Sequence, residues 1–163
     1  MPTLRPYAAK DWSHFLELNL ETALDSLGND ATELERVTMR ERWPALLDVK
    51  LSFSKEGFRH PGAQLWVLES EAGKYLGHVW ISEKDDAVHG TRTLEVTTMG
   101  VVRDERGKGF GRMLMLKAES EANARGIEVI ELSVAGNNRR AREIYKDLGY
   151  ETVRRTMRKR LRG

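Results

Sequence analysis

The spacing of apolar and polar positions predicts alternating strands and helices in the second half of this chain. The apolar run from Val96 to Val102 is typical of a buried strand. Over residues 110–125, apolar residues recur every four positions while charged residues share another face, which predicts an amphipathic helix that ends at Gly126. Alternation over 130–134 predicts a second strand, and an apolar stripe over 141–148 predicts a second helix. The pattern therefore indicates two consecutive strand–helix units.

The first half of the chain has weaker periodicity. Residues 3–7 predict a first strand, and Asp11 is expected to cap the first helix. A second helical stretch over 31–54 is expected to be interrupted at Pro44, because proline removes a backbone donor. The remaining expected elements are a loop at 57–62, a hairpin of 65–69 with 75–82, a polar connection over 83–92, a strand from about Thr93 and an extended terminus over 151–161. Together these elements predict an α/β fold around one mixed sheet.

Length and composition limit the function classes. At 163 residues the chain can build a sizeable core, and we expect residues 1–163 to form a single domain. Lysine and arginine number 27 against 25 acidic residues, so the net charge of +2 indicates no global preference for nucleic acid. The chain has no cysteine, which excludes disulfides, thiolate metal sites and covalent cysteine intermediates.

Signals for export or for a metal site are absent from the sequence. The first residues do not resemble a signal peptide, and no apolar run approaches the ~20 residues that span a bilayer, so we expect a cytoplasmic protein without a membrane partner. The histidines are scattered without the spacing of metal ligands, so no metal is expected; they are His14, His60, His78 and His89.

The most informative segment is Arg106–Arg112, where three alternate glycines stand between a predicted strand and a predicted helix. Glycines lack a Cβ atom, so backbone N–H groups can approach a ligand, and the helix dipole favours negative charge there. Arg106, Lys108 and Arg112 add positive charge. The segment therefore predicts a phosphate-bearing ligand, although its glycine spacing matches neither a Walker loop nor the dinucleotide fingerprint. A tight turn without a ligand is the alternative.

Two sequence blocks resemble the GNAT superfamily of N-acetyltransferases. Arg106, Gly109 and Gly111 occupy the defining positions of its Arg/Gln-x-x-Gly-x-Gly/Ala signature, which wraps the pyrophosphate of acetyl-coenzyme A (acetyl-CoA). A second block is similar to the family's other signature at Leu132, Val134, Asn138, Ala141, Tyr145, Gly149 and Tyr150. Two independent blocks in the family's order are more specific than either block alone.

The resemblance implies a fold, a reaction and a co-substrate. The fold would be a single-domain GNAT fold, with a mixed central β-sheet flanked by helices and splayed parallel core strands that form the acetyl-CoA cleft. The reaction would be direct transfer of acetyl from acetyl-CoA to a primary amine in a ternary complex. The acceptor stays open among small amines, protein N-termini and lysines, because residues 28–62 carry six acids and six bases. A homodimer is compatible with the resemblance.

The resemblance also implies which residues bind the coenzyme. Val101 would pair with the pantetheine arm in the manner of a β-strand. Asn138 would bind the pantetheine amides, or would simply cap a helix. The pyrophosphate would lie on Arg106, Gly107, Lys108, Gly109, Phe110, Gly111 and Arg112, while Arg139, Arg140 and Arg142 are candidates for the 3′-phosphate.

Three residues are implied in catalysis. The backbone N–H of Met99 would stabilise the oxyanion, beside a strand bulge that Gly100 suits. Glu95 would be the general base, or else a solvated or salt-bridged strand glutamate. Tyr145 matches the tyrosine that protonates the coenzyme thiolate, with a core tyrosine as the alternative.

Two other classes of function are considered. One is a non-catalytic acyl-CoA-binding module, which an intact Tyr145 argues against. The other is a nucleic-acid-associated protein that uses the basic run over 154–162. Val153, Met157 and Leu161 share one strand parity, which favours a solvated strand face for these charges, and the near-neutral total charge also disfavours nucleic acid.

Overall fold

A computed structural model describes residues 1–86, 88 and 90–162, without the side chains of Lys50 and Asp86. The elements are β1 (Thr3–Pro6), α1 (Trp12–Ser26), α2 (Glu33–Leu51), β2 (Phe53–Ser54), β3 (Gly57–Phe58), β4 (Ala63–Glu69), β5 (Tyr75–Asp86), β6 (Thr91–Val101), α3 (Phe110–Ala124), β7 (Val129–Leu132) and α4 (Arg139–Asp147). In the described part of the chain, no helix is long and apolar enough to cross a bilayer.

One five-stranded mixed sheet, in the order β1-β4-β5-β6-β7, organises the fold. Its strands are antiparallel except for β6 and β7, which run parallel. The parallel pairing joins Thr93–Val96 to Val129–Leu132, whereas β6 continues to Val101. The two parallel strands therefore part after Val96, and this splay confirms the predicted fold.

A β-bulge lies in β6 at the point where the splay begins. Trp80 of β5 pairs with Thr98, whereas the next residue, Ile81, pairs with Val96. Thr97 is therefore the extra residue, which bends β6 and increases its twist. The bulge begins where β6 leaves β7 and thereby helps to open the sheet.

The predicted bulge at Gly100 is wrong, since Gly100 pairs regularly with His78. Gly100 instead lies where α1 packs on the sheet. A Cβ atom at Gly100 would lie 3.3 Å from the side chain of Leu18, so the missing side chain lets α1 approach the sheet.

Apolar side chains cover both faces of the sheet. On one face, α3 buries Leu114, Met115, Ala118 and Ala122 in a core that extends to α4. On the other face, α1, α2 and the β2–β3 hairpin build a cluster of aromatic rings around Phe15, Phe53 and Trp80. The sheet is thus held between helical layers.

Two local predictions in the first half are wrong. The helix α2 continues through Pro44, whose lost hydrogen bond would go to the carbonyl of Arg40. Both residues are exposed, so water can satisfy that carbonyl. Asp11 precedes α1 without capping it, because its carboxylate accepts from the N–H of Ala8 and pairs with Arg5.

Two further element boundaries differ from those predicted from the sequence. The expected loop at 57–62 contains β3, and most of the polar connection over 83–92 belongs to the β5–β6 hairpin.

The basic terminus does not form the predicted strand face. Residues 151–160 have no regular secondary structure, and Val153, Met157 and Leu161 are 84–91% exposed. Their shared parity therefore does not correspond to packing. Arg160 in this terminal segment forms ion pairs with Asp30 and Glu35, near the start of α2.

The burial of His78 is expected to make the stability of the protein depend on pH. His78 is fully buried on β5, where its Nδ1 lies 2.6 Å from the Tyr75 hydroxyl, and burial lowers its pKa from 6.5 to about 3. Between these values only the unfolded chain takes up the proton. We therefore expect the free energy of unfolding to fall as pH decreases from 6.5 towards 3, by up to ~1.4 kcal/mol per pH unit from this group.

Urea unfolding between pH 7 and pH 4 checks this expectation. The His78→Gln variant should be less stable than the parent at pH 7 but show a flatter pH dependence. Parallel pH dependences for the two proteins would contradict the assignment.

Candidate active site

A cavity of about 1320 Å³ opens where β6 and β7 part. Its walls come from α1, α2, β5, the end of β6, the loop before α3, and α4. The carboxyl end of parallel strands at a change in strand pairing is a common position for a ligand site in α/β folds. We therefore take this cavity as the candidate active site.

The glycine loop forms one end of the cavity. Gly107 and Gly109 have φ values of +82° and +84°, the left-handed region that favours glycine. Gly109 is the N-cap of α3, whose first helical hydrogen bond runs from Met113 N–H to the Gly109 carbonyl at 3.1 Å. The N–H groups of residues 110–112 precede that bond and have no partner within the helix. Such free N–H groups at the positive end of a helix dipole are able to bind an anion.

Two of the predicted loop cations are held by neighbouring groups. The Lys108 ammonium donates to Glu105 at 2.7 Å, and Lys74 donates to the same carboxylate at 2.9 Å. Lys108 and Lys74 together hold the pKa of Glu105 below its usual value. The Arg106 guanidinium donates through Nε to the Val101 carbonyl at 3.0 Å and thereby fixes the end of β6 against the loop.

Two other arginines are placed at the loop. Arg112 is exposed on the first turn of α3 and lines the cavity. Arg140 of α4 also lines it, and its Nη1 lies 3.6 Å from the place where a Cβ atom of Gly107 would stand. The sequence offered Arg140 only as a candidate for a more distant phosphate, whereas the structure brings it to the glycine loop.

The open edge of β6 presents free backbone groups to the cavity. The N–H of Val102 donates to the Leu76 carbonyl of β5 at 2.9 Å. Backbone direction alternates along a strand, so the N–H groups of Met99 and Val101 point away from β5, towards the splay. Both predicted backbone groups therefore lie on the open side of β6.

Tyr145 and Asn138 lie on the opposite wall, on α4. Tyr145 is buried but lines the cavity, and burial raises its pKa to about 12. Asn138 caps α4, since its Oδ1 accepts from the Ala141 N–H at 3.2 Å, and it also lines the cavity. Its side-chain amide nitrogen stays available to a ligand, so capping and binding are compatible.

Glu95 is separated from these groups. Its carboxylate forms an ion pair with Lys84 of β5, and it is absent from the cavity lining that residues 96–101 provide. The structure therefore does not bring Glu95 together with Met99 and Tyr145. Its role as a base stays a prediction.

The structure shows a polar network that the sequence did not predict. Asn19 of α1 accepts from Trp43 Nε1 at 2.9 Å and donates to Thr98 Oγ1 at 3.2 Å. Asn19 is 7% exposed, and all three residues line the cavity. The sequence feature that could have indicated this network is the polar residue Asn19, which follows Leu18 on the apolar stripe of α1.

Of the remaining histidines, those that the structure describes do not share a site. His14 stacks on Tyr75, and His60 accepts from the Gly62 N–H, while His89 lies outside the described residues. Within the described ranges, no group of three or more His, Cys, Asp or Glu side chains could hold a metal ion.

Comparisons with known proteins agree with this geometry. A family model described as "Acetyltransferase (GNAT) family" matches residues 28–150. A mycothiol acetyltransferase from Thermobifida fusca is 29% identical over 92% of this chain and 47% of its own length. This chain spans between 29% and 47% of the length of three mycothiol acetyltransferases that it matches.

Solved structures share the fold. A putative acetyl transferase from Pyrococcus furiosus has a TM-score of 0.75 and 25% identity, with 99% of this chain and 100% of that chain covered. A predicted acetyltransferase from Clostridium acetobutylicum, solved with acetyl-CoA, has a TM-score of 0.64 and 18% identity, with 99% and 97% covered.

Proposed function

The chain belongs to the acetyltransferase (GNAT) family, and on that premise we propose that it transfers acetyl directly from acetyl-CoA to a primary amine. The observation that carries the proposal is one cavity with two sets of free backbone donors. One set lies at the α3 N-terminus and the other on the open edge of β6. A thioester joined to a pyrophosphate through an extended arm has the chemistry that both sets can bind.

The residues present fit such a co-substrate. The N–H groups of residues 110–112 and the guanidinium groups of Arg112 and Arg140 would hold the pyrophosphate. Gly107 and Gly109 keep the loop backbone open to it. Val101 and Asn138 would bind the amides of the arm, from β6 and from α4 respectively.

In the proposed transfer a carbon–nitrogen bond forms, the carbon–sulfur bond breaks, and the amine loses one proton. The amine nitrogen attacks the thioester carbonyl carbon, the carbon–sulfur bond breaks, and its electron pair goes to sulfur. The Met99 N–H would donate to the carbonyl oxygen as negative charge develops there. The amine proton would pass to Glu95 through water, or to bulk water.

Tyr145 would stabilise the departing sulfur by hydrogen bonding. Its pKa is about 12, whereas an ordinary thiol has a pKa of ~8.5, so complete proton transfer from the phenol to a thiolate is unfavourable. A protonated phenol can still donate to the developing charge, and water then supplies the proton. We expect Tyr145→Phe to lower kcat by ~10-fold or more, with near-native melting and acetyl-CoA affinity.

Tyr150→Phe is the matched control for this measurement. The two rings are 5.9 Å apart, but Tyr150 does not line the cavity, so its variant should keep the parent kcat. An unchanged kcat in Tyr145→Phe would remove the hydroxyl from the mechanism.

Release of free coenzyme thiol in the presence of an amine panel tests the activity itself. Amine-dependent thiol release and an acetylated product are expected. Acetyl-CoA binding without release by any amine would instead support a non-catalytic acyl-CoA-binding module. A cytoplasmic location and a homodimer stay predictions.

A further inference from the structure

We propose that the acceptor is an arylalkylamine, that is, a primary amine on a short chain that carries a flat apolar ring. The inference rests on the proposed function and concerns the part of the cavity that the coenzyme would leave free.

The free part lies beyond Met99. Phosphate binding at the α3 N-terminus and a thioester at the Met99 N–H place the coenzyme along residues 99–112. The remaining lining on the far side of Met99 comes from Thr97 and Thr98 of β6, from Asn19 of α1, and from residues of α2 and β5. An acceptor has to approach the thioester through this region, which we call the acceptor end.

Two indole rings are part of the wall of the acceptor end. Trp43 and Leu51 of α2 and Trp80 of β5 line it. Trp80 is held in the aromatic cluster, against Phe53 and Phe58, and is 2% exposed. These walls are apolar and rigid, which suits a flat ring.

The Asn19 network fixes Trp43 in place. The indole Nε1 can only donate, so the Asn19 atom that faces it must be Oδ1, and Nδ2 therefore faces Thr98. Asn19 thus joins α1 and α2 to β6 through one buried amide. Asn19 is a positioning residue for the Trp43 wall.

The acceptor end offers no carboxylate to a second cationic group. Among the described lining residues, those on α2, β5 and β6 are uncharged. The α1 carboxylate belongs to Asp25, which contacts Asn137 and Arg103, and the other carboxylates are on α4 and the loop before α3. Glu95 of β6 is not among the residues that line the cavity. A polyamine or a lysine-rich peptide would bring further ammonium groups without partners and would lose their hydration.

Thiol release with four amines at equal concentrations tests the proposal. We expect kcat/KM for 2-phenylethylamine and tryptamine to exceed that for spermidine and Nα-acetyl-lysine by ~10-fold or more. Any other ranking of the four amines overturns the proposal, and so do equal kcat/KM values. The proposal is also overturned if the protein binds acetyl-CoA but acetylates none of the four amines. A protein that does not bind acetyl-CoA would contradict the proposed function instead.

Variants at Trp43 test whether the preference for an aromatic amine arises at the acceptor end. Trp43→Ala should raise KM for 2-phenylethylamine by ~10-fold or more, with kcat and acetyl-CoA affinity near those of the parent, and Trp43→Phe should restore most of the loss. Leu34→Ala is the matched control, since Leu34 is on the same helix, is exposed and does not line the cavity. If Trp43→Ala does not fold, Trp43→Phe and Asn19→Ala must each raise KM for this amine, and unchanged KM in both overturns the proposal.

Discussion

Replacing Gly109 with valine is expected to weaken acetyl-CoA binding by ~100-fold or more while the protein stays folded. Gly109 has a φ of +84°, which a β-branched residue does not adopt without strain. Apart from the chain neighbours of Gly109, no atom of the described residues lies within 4 Å of the added Cβ, so the protein has room for it, but the loop must change its backbone conformation. That change would misdirect the N–H groups of residues 110–112. Calorimetric titration with acetyl-CoA measures the loss, and thermal melting checks the fold.

Gly126→Val is a matched control because it changes the other end of α3. Gly126 also has a positive φ, of +67°, with no atom within 4 Å of an added Cβ, and it does not line the cavity. It should therefore lose similar stability but keep its acetyl-CoA affinity. Equal affinities for the two valine variants would contradict the assignment of the phosphate site.

Replacing Glu95 with glutamine is expected to lower kcat by ~10²–10⁴, most severely at low pH, with little change in acetyl-CoA affinity. The carboxylate would have to leave Lys84 to accept a proton. That step is feasible because the Lys84 side chain is 61% exposed and exposed ion pairs contribute little. The pH profile of kcat for parent and variant is the measurement.

Two controls separate the base from a strand ion pair. Glu83→Gln removes a neighbouring carboxylate that pairs with Arg125 and Arg92, and its kcat should be near that of the parent. Lys84→Met keeps the Glu95 carboxylate and should also keep kcat. Wild-type rates for Glu95→Gln across the pH range would make Glu95 a structural strand residue, and the amine would then lose its proton to water.

The glycine loop and its flanking elements could be predicted because their signals are local. Alternate glycines from Gly107 and a four-residue apolar repeat from Phe110 determine a turn and an amphipathic helix without reference to distant residues. The family resemblance then supplied the splayed sheet. The same local logic failed at Pro44, where both Pro44 and Arg40 are exposed, so water can replace the lost hydrogen bond and the helix continues.

Contacts between distant elements could not be predicted in this way. The bulge at Thr97 depends on the register between β5 and β6, which single-strand alternation does not determine. The link from Asn19 to Trp43 and Thr98 joins three elements whose packing the sequence leaves open. Lys108 could equally have faced a ligand, and only the position of Glu105 shows where its ammonium is held.

Backbone amide shifts during an acetyl-CoA titration test most directly whether the coenzyme lies along β6 and on the α3 N-terminus. The largest ¹⁵N–¹H shifts are expected at Met99, Val101 and residues 109–112, and amides of β1, on the far edge of the sheet, should not move. Largest shifts outside these residues, or no shifts at saturating acetyl-CoA, would contradict the assignment of this cavity as an acetyltransferase site.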